Sequence, residues 1–243
     1  MVCVNKLSLE EDMERNLDNL WQHFFKYPRK NYNPYIIKML DYPKYLMFEK
    51  DLINGIKGKW NEHFGNSNPL YLEIGSGSGN FTNGMSERHK DCNYLALELR
   101  FKRLVMSADK AERREAQNIM FLRRRAEEIS EFIGENELDG VYINFADPWE
   151  EKLKNRVIQP RLFKTLDALL KKGGKVFIKT DHDGYYADIL EFMVELDGYE
   201  VEYHTPDLHN SPKVVDNIRT EFEDLFLCKF NKNINYIEII KTK

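Results

Sequence analysis

The distribution of apolar residues divides most of the chain into short buried-strand patterns and longer helical patterns. Short apolar runs predict strands at 70–75, 93–99, 119–123, 139–145 and 175–180, and further strands at about 199–204 and 235–240. Apolar residues that recur every three or four positions predict helices at 80–89, 101–115, 127–134, 160–171, about 185–196 and 220–229. Gly173-Gly174 is expected to end the helix at 160–171. Alternation of this kind predicts parallel strands joined by right-handed crossovers.

Residues 1–68 precede this alternation, and we expect them to form an N-terminal helical extension to a domain that spans residues 69–243. Helices are predicted at Glu10–Phe25 and at Tyr45–Phe64 from apolar spacing. Phe25–Tyr35 is basic, aromatic and interrupted by proline, which predicts an irregular arm. Its aromatic residues either stack on RNA bases or pack the arm onto the domain, and the sequence leaves both possibilities open.

The first strand runs directly into three glycines, Gly75, Gly77 and Gly79, before a helix begins near Phe81. Glycines allow a ligand to approach the backbone, and a helix start leaves N–H groups available for it. The dinucleotide fingerprint G-x-G-x-x-G is absent, because position 80 is Asn. Taken alone, the glycines are equally compatible with a tight turn that binds nothing.

Two acidic residues at strand ends favour a ligand-binding role for this turn. Glu73 precedes the first glycine by two residues, where a carboxylate would repel a pyrophosphate but suits the ammonium group of S-adenosylmethionine (SAM). Glu98 ends the second strand, where acidic residues bind ribose hydroxyls in doubly wound nucleotide sites. The sequence therefore predicts a SAM site.

In open α/β sheets, ligands bind at the carboxyl ends of the strands. We therefore expect the polar groups at the remaining strand ends to lie on the same rim. They comprise Arg123–Glu127, Asn144–Trp149 and Lys179–Gly184. Asp147-Pro148-Trp149 either presents a functional acid or is a plain strand-terminating turn with a packed Trp.

Two segments beyond these strand ends also have alternative interpretations. The basic run Lys152–Arg156 either contacts phosphates or forms a solvated charged face. Thr220–Glu223 matches a helix capping box, and a functional role requires it to face the same rim.

Composition places the chain among ordinary soluble proteins, with 42% hydrophobic and 31% charged residues in 243. No apolar run is long enough to span a membrane, and residues 1–5 are too short and polar to act as a signal peptide. Three scattered cysteines predict reduced thiols in the cytoplasm. His182 and His209 lack metal-ligand spacing, so no metal site is predicted. The net charge of −4 counts mildly against an RNA substrate, because nucleic-acid-binding proteins are usually basic. If the substrate is RNA, local basic patches have to bind it.

At these motifs the chain resembles the tRNA (guanine-N7)-methyltransferase family. The matching segments are Glu73–Gly79, Leu97-Glu98, Asn144–Trp149, Phe177–Asp181, Asp207–Asn210 and Thr220–Glu223, in family order. The resemblance implies a doubly wound, Rossmann-like α/β sheet that is mostly parallel with an antiparallel last strand. It also implies SAM as methyl donor, no metal, tRNA as partner, and methylation of a guanosine in the variable loop.

The resemblance assigns roles residue by residue. It implies Asp147 as the active-site acid. The donor-binding residues it implies are Glu73, Gly75, Ser76, Gly77, Glu98, Leu99, Arg125, Ala126 and Asn144. The substrate-binding residues it implies are Lys152, Asp181, Thr220, Glu221, Phe222 and Glu223. Two departures stand out: Arg125 replaces the family's Asp or Asn, and Glu150-Glu151 interrupts the family's basic run, so that its lysine falls at Glu151 or shifts to Lys152.

The prediction from sequence is a cytoplasmic, monomeric or dimeric SAM-dependent methyltransferase that modifies guanine N7 in tRNA. The alternatives are a SAM methyltransferase for another substrate and a tRNA-binding protein without catalytic activity. An NAD dehydrogenase is disfavoured, because Glu73 and Asn80 do not suit a pyrophosphate.

Overall fold

The computed structural model describes residues 33–230 and 232–243. The predicted helix Glu10–Phe25 and the arm up to residue 32 lie outside the described residues. Tyr35, the last residue of the predicted arm, is in a short helix.

The described residues alternate between strands and helices from residue 70 onward, as predicted. The strands are β1 Leu46–Met47, β2 Leu70–Ile74, β3 Asn93–Leu97, β4 Ile119–Leu122, β5 Leu138–Asn144, β6 Leu170–Thr180, β7 Tyr199–Thr205 and β8 Asn235–Lys241. The α-helices are α1 Tyr35–Lys38, α2 Lys50–Gly55, α3 Trp60–Phe64, α4 Asn80–Arg88, α5 Phe101–Arg113, α6 Ile129–Phe132, α7 Pro160–Leu169, α8 Asp183–Met193 and α9 Glu221–Leu225. Short 3-10 helices occupy Met39–Asp41, Ala126–Glu128, Leu153–Asn155, Leu208–Asn210 and Pro212–Asp216, and a π-helix at Phe226–Phe230 continues α9. No helix among these residues is long and apolar enough to cross a membrane.

The strands form one sheet of eight in the order β1-β4-β3-β2-β5-β6-β8-β7. The pairs from β1 to β6 are parallel, whereas β8 runs antiparallel to both β6 and β7. The predicted doubly wound sheet with an antiparallel last strand is confirmed. The chain leaves β2 toward β3 and later returns to place β5 on its other side, so the strand order reverses beside β2, where such sheets bind ligands.

Three predicted elements are wrong in detail. The predicted helix Tyr45–Phe64 is strand β1 followed by α2 and α3, because Leu46-Met47 pairs with β4 and a turn containing Gly58, at φ +74°, separates the two helices. Helix α7 ends at Leu169 and not at Gly173-Gly174, because Leu170 already pairs with β5 and the two glycines lie inside β6. The predicted helix 220–229 is divided between α9 and the π-helix.

Side chains alternate between the two faces of the sheet, and each face is covered by its own apolar layer. Leu70, Leu72 and Ile74 of β2 pack in the larger cluster, and Tyr71 between them packs with the smaller one. On the second face a row of aromatic rings crosses four strands. Its successive centroid distances are 5.7, 5.8 and 4.7 Å, and its members are Tyr94, Tyr71, Tyr142 and Phe177. This row ties together the central strands whose ends form the site.

Gly79 joins the loop after β2 to α4, and both its backbone conformation and its close neighbours disfavour any residue with a side chain. Its φ is +77°, and an added Cβ would lie 2.6 Å from Ser107 Oγ and 2.7 Å from Ser107 Cβ on α5. The close approach of α4 to α5 therefore depends on glycine at this position.

Replacement of Gly79 by Ala should destabilise the fold more than the same change at Gly65. Gly65 also has a positive φ, of +69°, but has no atom within 4 Å of its added Cβ. We expect Gly65→Ala to cost about 1–2 kcal/mol of unfolding free energy and Gly79→Ala about 1–3 kcal/mol more, because the helices must also separate. Urea titration of both variants tests this, and equal losses would contradict the role given to the α4–α5 contact.

Candidate active site

A cavity of about 450 Å³ opens at the carboxyl edge of the sheet, beside β2. It is lined by segments that follow four parallel strands and by the segment that starts α9. The predicted site residues that line it are Glu73, Gly75, Ser76, Gly77, Glu98, Leu99, Arg125, Ala126, Asn144, Asp147, Thr220, Glu221 and Phe222. Four of the five predicted strand ends thus share one cavity, whereas no residue of Lys179–Gly184 lines it. The role of each residue in the cavity stays a prediction.

Three predicted site residues lie outside this lining. Lys152 is exposed in the turn after Trp149. Asp181 follows β6 and forms an ion pair with Lys232, with 3.6 Å between Nζ and Oδ2. Glu223 is fully buried beneath the cavity-lining residues of its own segment.

The glycine loop leaves open space on the cavity side. Gly75 has a φ of +80°, and an added Cβ would have no atom within 4 Å. The amides of Gly75 and Ser76 donate to the Leu97 carbonyl at 3.0 and 2.8 Å, which fixes the loop to the end of β3. Ser76 Oγ is buried and has no hydrogen-bond partner within the described chain. An unpartnered buried hydroxyl beside open space is the environment that a polar ligand would complete.

Glu98 is held in a fixed position by its own backbone. Its Oε1 accepts hydrogen bonds from the amides of Leu99 and Arg100 at 2.7 and 2.8 Å. The other oxygen, Oε2, lies 3.7 Å from Arg103 Nη1, and the side chain is only 9% exposed. One carboxylate oxygen thus anchors the residue to the backbone, and the other pairs with Arg103, which lines the cavity together with Glu98.

Glu73 is a buried carboxylate at the base of the cavity. Its two oxygens accept hydrogen bonds from the Thr82 hydroxyl and from Asn144 Nδ2, the latter at 2.9 Å. Burial raises the pKa of Glu73 above its ordinary value, and these hydrogen bonds and the charge of Lys179 oppose that effect only in part. Asn144 ends β5, so the reversal of strand order beside β2 brings the two residues together.

Asp147 lies on a strained loop. Phe145 and Trp149, on either side of it, have φ values of +55° and +41°, which large side chains rarely adopt. Strain of this kind persists where surrounding contacts enforce it. Here the Phe145 amide donates to the Lys179 carbonyl at 2.8 Å, and Arg156 Nε donates to the Pro148 carbonyl. The loop thereby holds the exposed Asp147 at the cavity.

Arg156 supports this loop from inside the protein. It is 7% exposed, its Nη1 lies 2.6 Å from Asp188 Oδ2, and its guanidinium lies 4.4 Å from the centroid of the Tyr185 ring. The basic run Lys152–Arg156 therefore does not act as one phosphate-binding patch, because its last residue is used for packing.

Thr220–Glu223 forms a capping box and also faces the cavity. The Glu223 amide donates to Thr220 Oγ1 at 3.0 Å, and the Thr220 amide donates to Glu223 Oε2 at 3.2 Å. Thr220, Glu221 and Phe222 line the cavity. The two interpretations of this motif from sequence are compatible, since the cap fixes the segment that the cavity uses.

A buried ion pair attaches this segment to the sheet. Lys179 Nζ lies 3.0 Å from Glu223 Oε2, and both side chains are almost inaccessible to solvent. Lys179 also donates to Asn217 Oδ1 and, at 2.9 Å, to the Ile218 carbonyl. Burial lowers the pKa of Lys179, and the Glu223 carboxylate opposes that shift.

Comparison with known proteins gives the family. A family model described as a putative methyltransferase matches residues 67–235. The tRNA (guanine-N(7)-)-methyltransferase of Bacillus subtilis is 38% identical over 173 residues, which are 70% of this chain and 80% of that protein. The enzyme of the same name from Enterococcus faecalis is 35% identical over 77% of this chain and 86% of its own length. The chain belongs to the tRNA (guanine-N7)-methyltransferase family.

One similar protein is much longer than this chain. A bifunctional glycosyltransferase/methyltransferase of Fusobacterium nucleatum is 54% identical over 99% of this chain, which spans only 38% of that relative's length. The 16S rRNA methyltransferase KamB has a similar structure, with a TM-score of 0.58 at 13% identity over 76% of this chain and 94% of its own. At that identity the likeness concerns the fold alone.

The departures of this methyltransferase from its family pattern have a structural context. Arg125 and Ala126 line the cavity at the end of β4, where the Arg125 amide is capped by Glu128 Oε2 at 3.1 Å. Glu150 contacts His182 Nε2 at 2.6 Å, which links the loop after β5 to the loop after β6. This acidic residue therefore connects two loops of the rim.

Arg103 and Phe145 line the methyltransferase cavity, and the sequence assigned neither of them a role. Arg103 lies beside Glu98 and has its guanidinium carbon 6.0 Å from the centroid of the Phe222 ring. Phe145 lines the cavity next to Ala146 and Asp147. Arg103 lies in the first turn of α5, five residues after Glu98, and that position was its available signal. Phe145 lies within the predicted strand end Asn144–Trp149, but only the tertiary structure shows its positive φ.

Glu73→Gln should stabilise the ligand-free protein increasingly as the pH rises. The pKa of Glu73 is raised in the folded state, so wild-type stability is lost as the pH rises from the ordinary carboxyl value of 4.5 through that raised pKa. The neutral amide avoids this loss and keeps partners in Thr82 and Asn144. Urea unfolding of both proteins at pH 5 and pH 8 measures the difference, with Glu200→Gln on the exposed side of β7 as the control. A difference that does not grow with pH would be contrary to this account.

Lys179→Met should cost about 3–5 kcal/mol of unfolding free energy, because the buried Glu223 carboxylate loses its lysine and keeps only His209, with Nε2 3.0 Å from Oε1, as an ionisable partner. Adding Glu223→Gln removes the isolated charge and should recover a large part of the loss. Lys175→Met on the same strand is the matched control, since its partner Glu202 is 42% exposed and a surface pair contributes at most about 1 kcal/mol. Strictly additive losses in the double variant would show that the two side chains do not act as a pair.

Proposed function

We propose that this chain transfers a methyl group from SAM to N7 of a guanine in tRNA. The observation that carries the proposal is the shared cavity, in which Asp147 faces the same space as the glycine loop and the carboxylate of Glu98. A donor site and an acceptor site must adjoin for a group transfer, and this cavity adjoins both predicted sets of residues.

The residues of the cavity fit SAM as the donor. Oε2 of Glu98, which accepts no backbone hydrogen bond and has Arg103 Nη1 at 3.7 Å, suits ribose hydroxyls, and the open space at Gly75 admits the ligand close to the backbone. Ser76 Oγ offers an unused polar group, and the buried Glu73 favours a positively charged ligand, since a nearby cation stabilises an ionised carboxylate. Arg125 and Ala126 would lie toward the adenine.

The reaction requires little proton chemistry from the protein. Guanine N7 carries an in-plane lone pair and no proton at neutral pH, so no general base is needed. SAM supplies a methyl group on a sulfonium: the N7–carbon bond forms as the carbon–sulfur bond breaks, and the positive charge moves to the purine. The protein must align the two reactants, which lowers the barrier by several kcal/mol, and must stabilise the new charge.

Asp147 is suited to both tasks. Its carboxylate can accept hydrogen bonds from guanine N1–H and the exocyclic amine while balancing the positive charge that develops on the ring. Thr220 and Phe222 border the same space and can position the base. The ion pair of Lys179 and Glu223 holds their segment in place. Asp181 and Lys152, which lie outside the cavity lining, are proposed to contact the tRNA around the target nucleotide.

The proposed partner is tRNA, and the family relatives named for tRNA methylation support it. An acidic chain binds RNA when its carboxylates are neutralised locally. Glu98 lies near Arg103, and Glu221 forms an ion pair with Lys110 at 3.3 Å. A cytoplasmic location and a monomeric or homodimeric state remain predictions.

Asp147→Ala should lower the rate of 7-methylguanosine formation on unmodified tRNA by at least about 100-fold, because it removes the countercharge at the purine. SAM affinity, measured by calorimetry, should change little. Asp91→Ala is the control, since Asp91 is exposed at the opposite edge of the sheet, just before β3. Mass analysis of the nucleosides identifies the product. A different methylated base would refute the proposed substrate, and near-normal turnover of Asp147→Ala would refute the role of Asp147.

A further inference from the structure

Four phenylalanines form a continuous aromatic surface that starts in the cavity and extends beyond it. Phe222, Phe226 and Phe230 are spaced four residues apart along α9 and the π-helix, and Phe145 lies against the first two. Successive centroids are 5.8–6.4 Å apart, and we call this set the aromatic ladder.

The ladder has a defined direction. Phe145 and Phe222 line the cavity, whereas Phe226 and Phe230 do not. The rings of Phe145, Phe222 and Phe226 are within 27° of parallel, and the Phe230 ring is tilted by 43° from that of Phe226. The exposed fraction is 41% at Phe222 and 62% at Phe230. The ladder therefore leads from the acceptor side of the cavity to open solvent.

Core packing does not explain this arrangement. Phe230 and Phe222 are among the most exposed large apolar residues of the described chain, and neither belongs to the two apolar clusters that cover the sheet. Phe145 adopts a left-handed conformation at φ +55°, which costs about 1–3 kcal/mol, to reach its place in the ladder. The segment of Phe226–Phe230 is a π-helix, which is rare and frequently marks functional sites.

The charges around the ladder indicate what it binds. The exposed acidic residues of this segment are in ion pairs: Glu221 with Lys110 at 3.3 Å and Asp224 with Arg219 at 3.5 Å. Lys229 is exposed and has no acidic partner among residues 33–230 and 232–243. At the other end, the guanidinium of Arg103 lies over the Phe222 ring. Aromatic faces beside available cations suit the bases and phosphates of an unpaired nucleic-acid strand.

We propose that the aromatic ladder binds unpaired RNA nucleotides next to the target guanine by base stacking. This inference rests on the proposed function for the position of the guanine itself. Phe145 and Phe222 contact the nucleotide in the cavity, and Phe226 and Phe230 support the adjacent unpaired base, whose phosphate lies near Lys229. The ladder thus selects RNA in which the guanine and its neighbour are both free of pairing.

The test is direct binding of a fluorescently labelled, unmodified tRNA transcript. Phe230→Ala should weaken tRNA binding about tenfold and raise the KM for tRNA by a similar factor, while kcat and SAM affinity stay within twofold. Phe230→Trp keeps an aromatic face and should retain wild-type affinity. Val194→Ala, at an 87% exposed apolar position in the C-terminal cap of α8, is the control and should change nothing.

A second measurement separates stacking from a general loss of surface. The nucleotide on each side of the target guanine is made abasic in turn. On the side that stacks, the abasic tRNA should bind wild type about tenfold more weakly but should bind Phe230→Ala no more weakly than intact tRNA does.

Each outcome is decisive. Unchanged tRNA affinity of Phe230→Ala, an equal loss in Val194→Ala, or additive losses with both abasic substrates would overturn the ladder. Unchanged RNA affinity with altered sedimentation of Phe230→Ala would assign the surface to contact between protein copies instead. If wild type binds tRNA through the ladder but forms no 7-methylguanosine, the proposed function fails and the ladder stands.

Discussion

One buried cation connects the two halves of the candidate site. Lys179 on β6 forms an ion pair with Glu223 in the capping-box segment Thr220–Glu223 and also interacts electrostatically with Glu73 at the base of the cavity. All three side chains are at most 4% exposed. Charges buried to this extent are costly unless they are paired, so the positions of Thr220–Glu223 and of the glycine loop after β2 depend on each other.

The sheet topology creates the space that these charges border. Strand order reverses beside β2, so the end of β5 lies directly against the glycine loop, and Asn144 reaches Glu73. The same arrangement places Asp147 beyond Asn144 on a loop that two positive φ values and the buried Arg156 hold in position. The protein supplies anchored carboxylates and little proton chemistry, which suits alkylation of a purine nitrogen whose lone pair is already free.

The proposed activity concerns recognition of the target base, and the proposed role of the aromatic ladder concerns recognition of the unpaired nucleotide next to it. In the proposed activity the carboxylates of the cavity accept hydrogen bonds from one base and balance its charge, and in the proposed ladder stacking against phenylalanines favours bases that have left a helix. A site that demands two unpaired nucleotides obtains selectivity for a loop without reading the sequence of the surrounding stem. Lys229 at the end of the ladder has no acidic partner among residues 33–230 and 232–243, and its positive charge suits a phosphate in an otherwise acidic chain.

The sequence alone determined the alternation of strands and helices, the sheet class, and most residues of the cavity, because apolar periodicity and strand-end chemistry are local properties. It failed at Tyr45–Phe64, where pairing of two residues with β4 overrides helical spacing, and at Gly173-Gly174, where pairing with β5 ends the helix early. Only the tertiary structure decided that Glu223 and Arg156 are buried and support the site from inside. It also decided that Asp181 and Lys152 lie outside the cavity lining. The position of Phe145 in the aromatic ladder was likewise visible only there. Those outcomes depend on contacts between residues far apart in the chain, and no local pattern of residues encodes which distant partner a charge or a ring will meet.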